Sequence, residues 1–179
     1  GFGSKTVIPM EIFDSDYFAE RYHYDGNDLG STINGENTTF KVWAPTASRV
    51  LLNLFEQGDE APAYKTVDMV IGEKGVWSHT EACGHGTYYT YTVTTAVGTQ
   101  EATDPYARAA GVNGDRSMVV DLALTDPEGF ETSVLEHNID SYSEAIIWEV
   151  HVRDFSNKIA TSQYKGKYLA FTETGLVNE

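Results

Sequence analysis

The stretch GTYYTYTVTTAV, Gly86–Val97, decides the fold. Tyr89, Tyr91 and Val93 alternate with Tyr88, Thr90, Thr92 and Thr94. One face is therefore aromatic and apolar, and the other mostly carries hydroxyls. Period-two alternation of aromatic and β-branched residues predicts a half-buried strand. The same period recurs on both sides. In TTFKVWA, from Thr38, Phe40 and Val42 alternate with Lys41 and Trp43, and Pro45 ends the run. SRVLLNLFE from Ser48, KTVDMVI from Lys65, GVWSHTEA from Gly75 and RSMVVDLAL from Arg116 extend the series, with Gly58-Asp59 as a turn. Six or seven short strands separated by glycine-rich turns predict an all-β, immunoglobulin-like antiparallel sandwich of roughly 100 residues.

The flanks read differently. DSDYFAERY, Asp14–Tyr22, predicts a short helix capped by Asp14 or Ser15, with Phe13, Tyr17 and Tyr22 on one face. After Leu124, TDPEGFETS is turn chemistry, as in a linker. AIIWEVHVRDF, from Ala145, holds Ile146, Ile147 and Trp148 in succession, which predicts a strand covered on both faces, as in a parallel sheet. The expected organisation is a leader over 1–24, the sandwich over 25–124, a linker over 125–143 and a separate element over 144–179. A strand without neighbours leaves apolar edges open. The tail from Ala145 to Glu179 is thus expected to be disordered, folded back on the sandwich, or exchanged between molecules by strand pairing.

Composition excludes several functions. The net charge of −15 repels phosphate backbones and anionic lipid surfaces, so neither nucleic acid nor a membrane is expected as a partner. No apolar run is long enough to span a bilayer. The single cysteine, Cys83, forms no intrachain disulfide, and no signal peptide is read, so a cytoplasmic rather than secreted setting is expected. Neutral partners such as sugars stay open, and the 12% aromatic content suits a surface that stacks on sugar rings.

YDGNDLG, Tyr24–Gly30, mimics a calcium loop. Asp25, Asn27, Gly30 and Glu36 fall at positions 1, 3, 6 and 12, but position 5 is Leu29, which offers no side-chain oxygen. A strand rather than a helix opens at Thr38, so the stretch reads as the lead-in to the sandwich. The histidines His23, His79, His85, His137 and His151 lack zinc spacing, and no metal or cofactor is expected.

In order, YDGNDLG, FKVWAPTASRV, GTYYTYTV, DPYARAAGVNGDRSMVVDL and AIIWEVHVRDFS resemble the front of type I pullulanases, debranching enzymes of glycoside hydrolase family 13. The resemblance runs from about Tyr22 to the C-terminus. It implies a carbohydrate-binding module of family 48, followed by the first strand of a (β/α)8 catalytic barrel. That barrel, on the same polypeptide, would be the sandwich's partner, with an α-glucan (pullulan, starch or limit dextrin) as a further one. The chain's own work would be non-catalytic support of the barrel. A full barrel needs about 250 residues, whereas 24 follow Phe155.

The resemblance also implies where the chemistry lies. The family's catalytic Asp and Glu sit on later strands, and no such motif occurs here, so no catalytic residue is expected. Retaining glycosidases need two carboxyl groups about 5 Å apart. Glu149 and Asp154 are an odd-and-even pair on the expected strand and would point to opposite faces. Glycogen-binding members carry a tryptophan three residues before the Asp-Pro of the last loop; here that position is Glu101. FEQGDEA, Phe55–Ala61, lacks the second platform tryptophan. Trp43 and Trp77 are the remaining glycan-binding candidates, although both sit inside strand patterns. Asp104-Pro105-Tyr106 is a turn whose Tyr106, with Trp148 and His151, is a candidate for docking sandwich to barrel. The rival readings are a stand-alone α-glucan-binding module and an immunoglobulin-like interaction domain without a sugar ligand.

Overall fold

The computed structural model describes residues 11–134 and 139–177. They divide into two compact units, one ending at Glu128 and the other starting at Gly129. In the first unit, helix α1 (Asp16–Tyr22) precedes ten strands: β1 (Gly30–Asn34), β2 (Asn37–Trp43), β3 (Arg49–Phe55), β4 (Lys65–Asp68), β5 (Val70–Ile71), β6 (Val76–Glu81), β7 (Tyr88–Thr95), β8 (Gly98–Ala102), β9 (Ala109–Ala110) and β10 (Ser117–Met118). One sheet has the order β1-β2-β6-β5. The other has the order β4-β3-β7-β10-β9, with β8 also paired to β7. Every pairing is antiparallel. This is the sandwich that the period-two runs predict.

The inward faces are those read from the alternation. Phe40 and Val42 of β2 meet Val50, Leu52 and Leu54 of β3 and Tyr89 and Tyr91 of β7, all buried, with Met69, Trp77 and Val119 completing the cluster. Phe40 lies edge-on to Tyr89 at 4.9 Å between ring centroids, and so joins the two sheets. Aromatic pairs of this geometry add to the burial of apolar area.

Three local readings are corrected. KTVDMVI is not one strand: β4 pairs with β3 and β5 with β6, so the chain changes sheet at Met69. Met69 is buried, and its N–H donates to the Val50 carbonyl at 2.9 Å, which anchors the crossing. RSMVVDLAL pairs only over Ser117–Met118. Beyond Val119 the Asp121 carboxylate accepts the Ala123 N–H and starts a 3-10 turn at Leu122, a local bond that competes with the ladder. β1 and β8 are strands that alternation does not announce.

YDGNDLG is a tied lead-in, as its reading expects. Tyr24 donates its hydroxyl to Asp28, and Asp28 pairs with Lys41 of β2. Gly30 has φ 97, and a Cβ there would sit 2.9 Å from the Tyr106 carbonyl oxygen. Glu36 lies in the turn between β1 and β2, so five strand residues, roughly 15 Å, separate it from the loop that carries Asp25. The calcium-type ligand set is not assembled.

Ser15, not Asp14, caps α1: its hydroxyl accepts the Phe18 N–H at 3.2 Å. Phe18 packs on Phe13, Tyr22 and Trp43. The Trp43 indole N–H is shared between the carbonyls of Tyr22 at 2.9 Å and Lys74 at 3.0 Å. Trp43→Phe is expected to cost about 1 kcal/mol and to speed amide exchange in α1 while leaving β7 protected, as hydrogen exchange read by mass spectrometry would show.

In the second unit the expected strand over Ile146–Val150 does not form among the described residues. Ile146 and Ile147 are 98% and 88% exposed. A strand is held by its ladder, and no neighbouring segment supplies one here. Local bonds take over instead: α2 (Val152–Ser156) forms within the run read as strand, and the Phe155 N–H donates to the His151 carbonyl at 3.0 Å. Trp148, Phe155 and Phe171 cluster, the last two stacked at 4.2 Å. Glu173 accepts from the Ser162 hydroxyl at 2.6 Å and the Gln163 N–H at 2.7 Å. A disordered tail is therefore not what residues 145–177 make; His137, Asn138 and the last two residues lie outside the described residues.

Candidate functional site

The outer face of the sheet built on β3 and β7 carries the polar half of the alternation. Side chains opposite the core line up across strands by register: Asn53 of β3 faces Thr90 of β7, and Thr92 faces Glu101 of β8. Asn53 donates to Thr90 at 3.1 Å and to Thr92 at 2.8 Å and accepts from Thr66 at 3.0 Å. Thr90 in turn donates to the Glu101 carboxylate at 2.5 Å. Glu101 thus lies across the sheet, held by the strand beside it. Cross-strand bonds of this kind rigidify a flat face.

Beside Glu101 is a hollow of about 510 Å³ lined by Asp59, Glu60, Thr90, Asn113, Asp115 and Arg116, among others. Half of its lining residues are acidic. Arg116 is the organising cation. Its guanidinium carbon sits 3.7 Å from the centroid of the Phe55 ring, and its nitrogens donate to the carbonyls of Gln57 at 2.7 Å and Ala61 at 2.5 Å. One side chain thereby holds down the loop from Gln57 to Ala61. Gly58 and Gly111 let that loop touch its neighbour, because a Cβ on Gly111 would fall 2.5 Å from the Gly58 oxygen.

The second polar centre is Asp104, which is 5% exposed. Its carboxylate accepts the Tyr89 hydroxyl at 2.8 Å, the Tyr91 hydroxyl at 3.4 Å and the Tyr106 N–H at 2.8 Å. Its own N–H donates to the Ser117 hydroxyl at 2.8 Å. Burial pushes the Asp104 carboxyl above the usual range, while the Tyr106 N–H and the two tyrosine hydroxyls pull the other way. Burial also pushes both tyrosine hydroxyls well up, and the charge of Asp104 adds to it.

The residues singled out in the sequence fall in separate places. Trp77 is 6% exposed, and its indole N–H donates to the Ala44 carbonyl at 3.0 Å. It belongs to the core and has no free face for a sugar ring, which corrects its candidacy. Trp43 is half-buried against α1. Tyr106 is 44% exposed on the turn that Asp104 sets. Trp148 is 65% exposed in the second unit. His151 there lies 3.4 Å from Asp154, and both are exposed. Glu149, too, is exposed. Among the described residues, no group of three or more His, Cys, Asp and Glu is arranged to hold a metal ion.

Sequence reading missed Arg116 and the buried role of Asp104. Inward-facing Tyr89 and Tyr91 were a usable signal for the second, since buried tyrosine hydroxyls need partners. The stacking of Arg116 on Phe55 has no local sequence mark.

Antiparallel β-sandwiches serve many functions, and carbohydrate-binding modules are among the domains built on them. Residues 28–107 match carbohydrate-binding module 48 (isoamylase N-terminal domain). The chain is 34% identical over 178 residues to the pullulanase of Bacillus subtilis, covering 96% of this chain and 23% of that protein. It is 34% identical to the chloroplastic pullulanase 1 of Arabidopsis thaliana over 86% of this chain and 17% of that one. Among solved structures, a mutant pullulanase of Paenibacillus barengoltzii complexed with maltotriose superposes with a TM-score of 0.78 at 40% identity, covering 92% of this chain and 26% of that one. The pullulanase of Bacillus acidopullulyticus gives 0.75 at 42% identity, covering 90% and 20%. The protein carries a family 48 carbohydrate-binding module, in a chain homologous to pullulanases over most of its length. It spans less than a quarter of the curated relatives named here.

Proposed function

We propose that this chain is the non-catalytic front module of a pullulanase-like α-1,6-glucan debranching hydrolase. In this reading the sandwich packs against a catalytic barrel further along the same polypeptide, and Tyr106 is the residue it offers to that contact. Pullulan, starch or limit dextrin is the glucan of the whole protein. The observation that carries the reading is the extent of the likeness: identity to the Bacillus subtilis pullulanase spans 178 residues, whereas the binding-module match ends at residue 107. A stand-alone binding module would not need the second unit. Contact with α-glucan is part of the proposal, supported by the maltotriose complex of the Paenibacillus protein.

A hybrid tests it. Residues 1–179 replace the matching front of the Bacillus subtilis pullulanase. The hybrid is expected to release reducing ends from pullulan, and the isolated chain to release none. Tyr106→Ala in the hybrid is expected to split one melting transition into two. An isolated chain that cuts pullulan sinks the proposal, as does a hybrid whose halves melt apart before any substitution.

A further inference from the structure

We propose that Arg116 is a built-in occupant of the module's own sugar platform, so that the chain as folded keeps an aromatic face closed to α-glucan. The inference rests on reading the sandwich as a glucan-contacting module. Phe55 is the last residue of β3 and points to the outer face, since Val50, Leu52 and Leu54 point to the core. It is cross-strand partner to Tyr88, so two aromatic side chains meet at this corner of the sheet. Yet Phe55 is only 6% exposed. An aromatic side chain on an outer face owes such burial to something laid over it. The guanidinium of Arg116, 3.7 Å from the ring centroid, is the part of that cover that lies over the ring.

The same Arg116 also lines the hollow beside Glu101. The guanidinium therefore lies between the hollow and the face of Phe55. A planar cation over an aromatic ring occupies the place where a pyranose would stack. Two of its five N–H donors bond the Gln57 and Ala61 carbonyls, so the cover is pinned from the loop side. The hollow itself offers carboxylates, Asp59, Glu60 and Asp115, while Glu101 is drawn down onto Thr90. Hydroxyls entering it would find acceptors but no ring to stack on. Removing the guanidinium supplies the ring.

The test is calorimetric titration of the full chain with maltohexaose, for the native chain, Arg116→Ala and the double variant Arg116→Ala/Phe55→Ala, with far-UV circular dichroism to confirm folding. The expected result is binding about tenfold tighter in Arg116→Ala than in the native chain, with the gain abolished in the double variant. If the alanine variant does not fold, Arg116→Gln, which keeps a donor for the loop carbonyls, is read in its place. A folded single variant that binds no better than the native chain overturns the proposal. So does a gain that survives loss of Phe55. Either result leaves the pullulan-hydrolysis test of the hybrid untouched, so the two readings fail separately.

Discussion

Asp104→Ala is expected to destabilise the sandwich by on the order of 3 kcal/mol. The carboxylate accepts from three donors, and two of them, the hydroxyls of Tyr89 and Tyr91, belong to side chains that are 0% and 1% exposed. Alanine leaves those hydroxyls without an acceptor where water does not reach, and an orphaned buried donor costs its whole desolvation. Urea unfolding followed by tryptophan fluorescence reads the loss. Asp104→Asn keeps an acceptor oxygen and is expected to cost about 1 kcal/mol.

The pH dependence has a definite sign. Burial raises the folded-state pKa of Asp104 above its unfolded value of about 3.9. In the window between those two values the folded chain holds a proton that the unfolded chain has lost. Stability from this group is then full below the unfolded value and falls as pH rises through the folded one. Native stability minus that of Asp104→Asn should grow on acidification across that window and be flat on either side. A difference that shrinks on acidification would mean that hydrogen bonding, not burial, governs the carboxyl.

Phe40→Ala is expected to cost about 3–5 kcal/mol. Its side chain is 0% exposed at the centre of the core cluster, with Tyr89 4.9 Å away on the opposite sheet. Truncation opens a cavity between two sheets whose backbones are fixed by their ladders and relax little. Phe40→Leu, which refills most of the volume, should recover the larger part of the loss in the same denaturation measurement.

The elements legible in the sequence were those with one wet and one dry face. β2 alternates in burial residue by residue, and β7 alternates in side-chain chemistry, tyrosine and valine against threonine, even though Thr90 on its outer face is buried as well. β8 carries no such signature because all five of its residues are exposed, and β1 buries only Gly30 fully. Their existence depends on pairing with β7 and β2, a non-local cause. The segment IIWEV shows the converse. Its composition favours a strand, and without a ladder it stays out of one. At the candidate site, the turn at Asp104-Pro105-Tyr106 was legible because Pro and Asp set it locally. The placement of Arg116 on Phe55 was not, since the two are far apart in sequence and meet only once β3 and β10 have joined one sheet through β7.

The crossing at Met69 has a mechanical corollary. One covalent chain passes from the edge of one layer to the edge of the other, and it is bonded at the passage to the start of β3. Sliding or peeling of the layers would have to tear this stitch first. The slowest-exchanging amides on both sides of the stitch should therefore open together, as one cooperative block with a single free energy, rather than sheet by sheet.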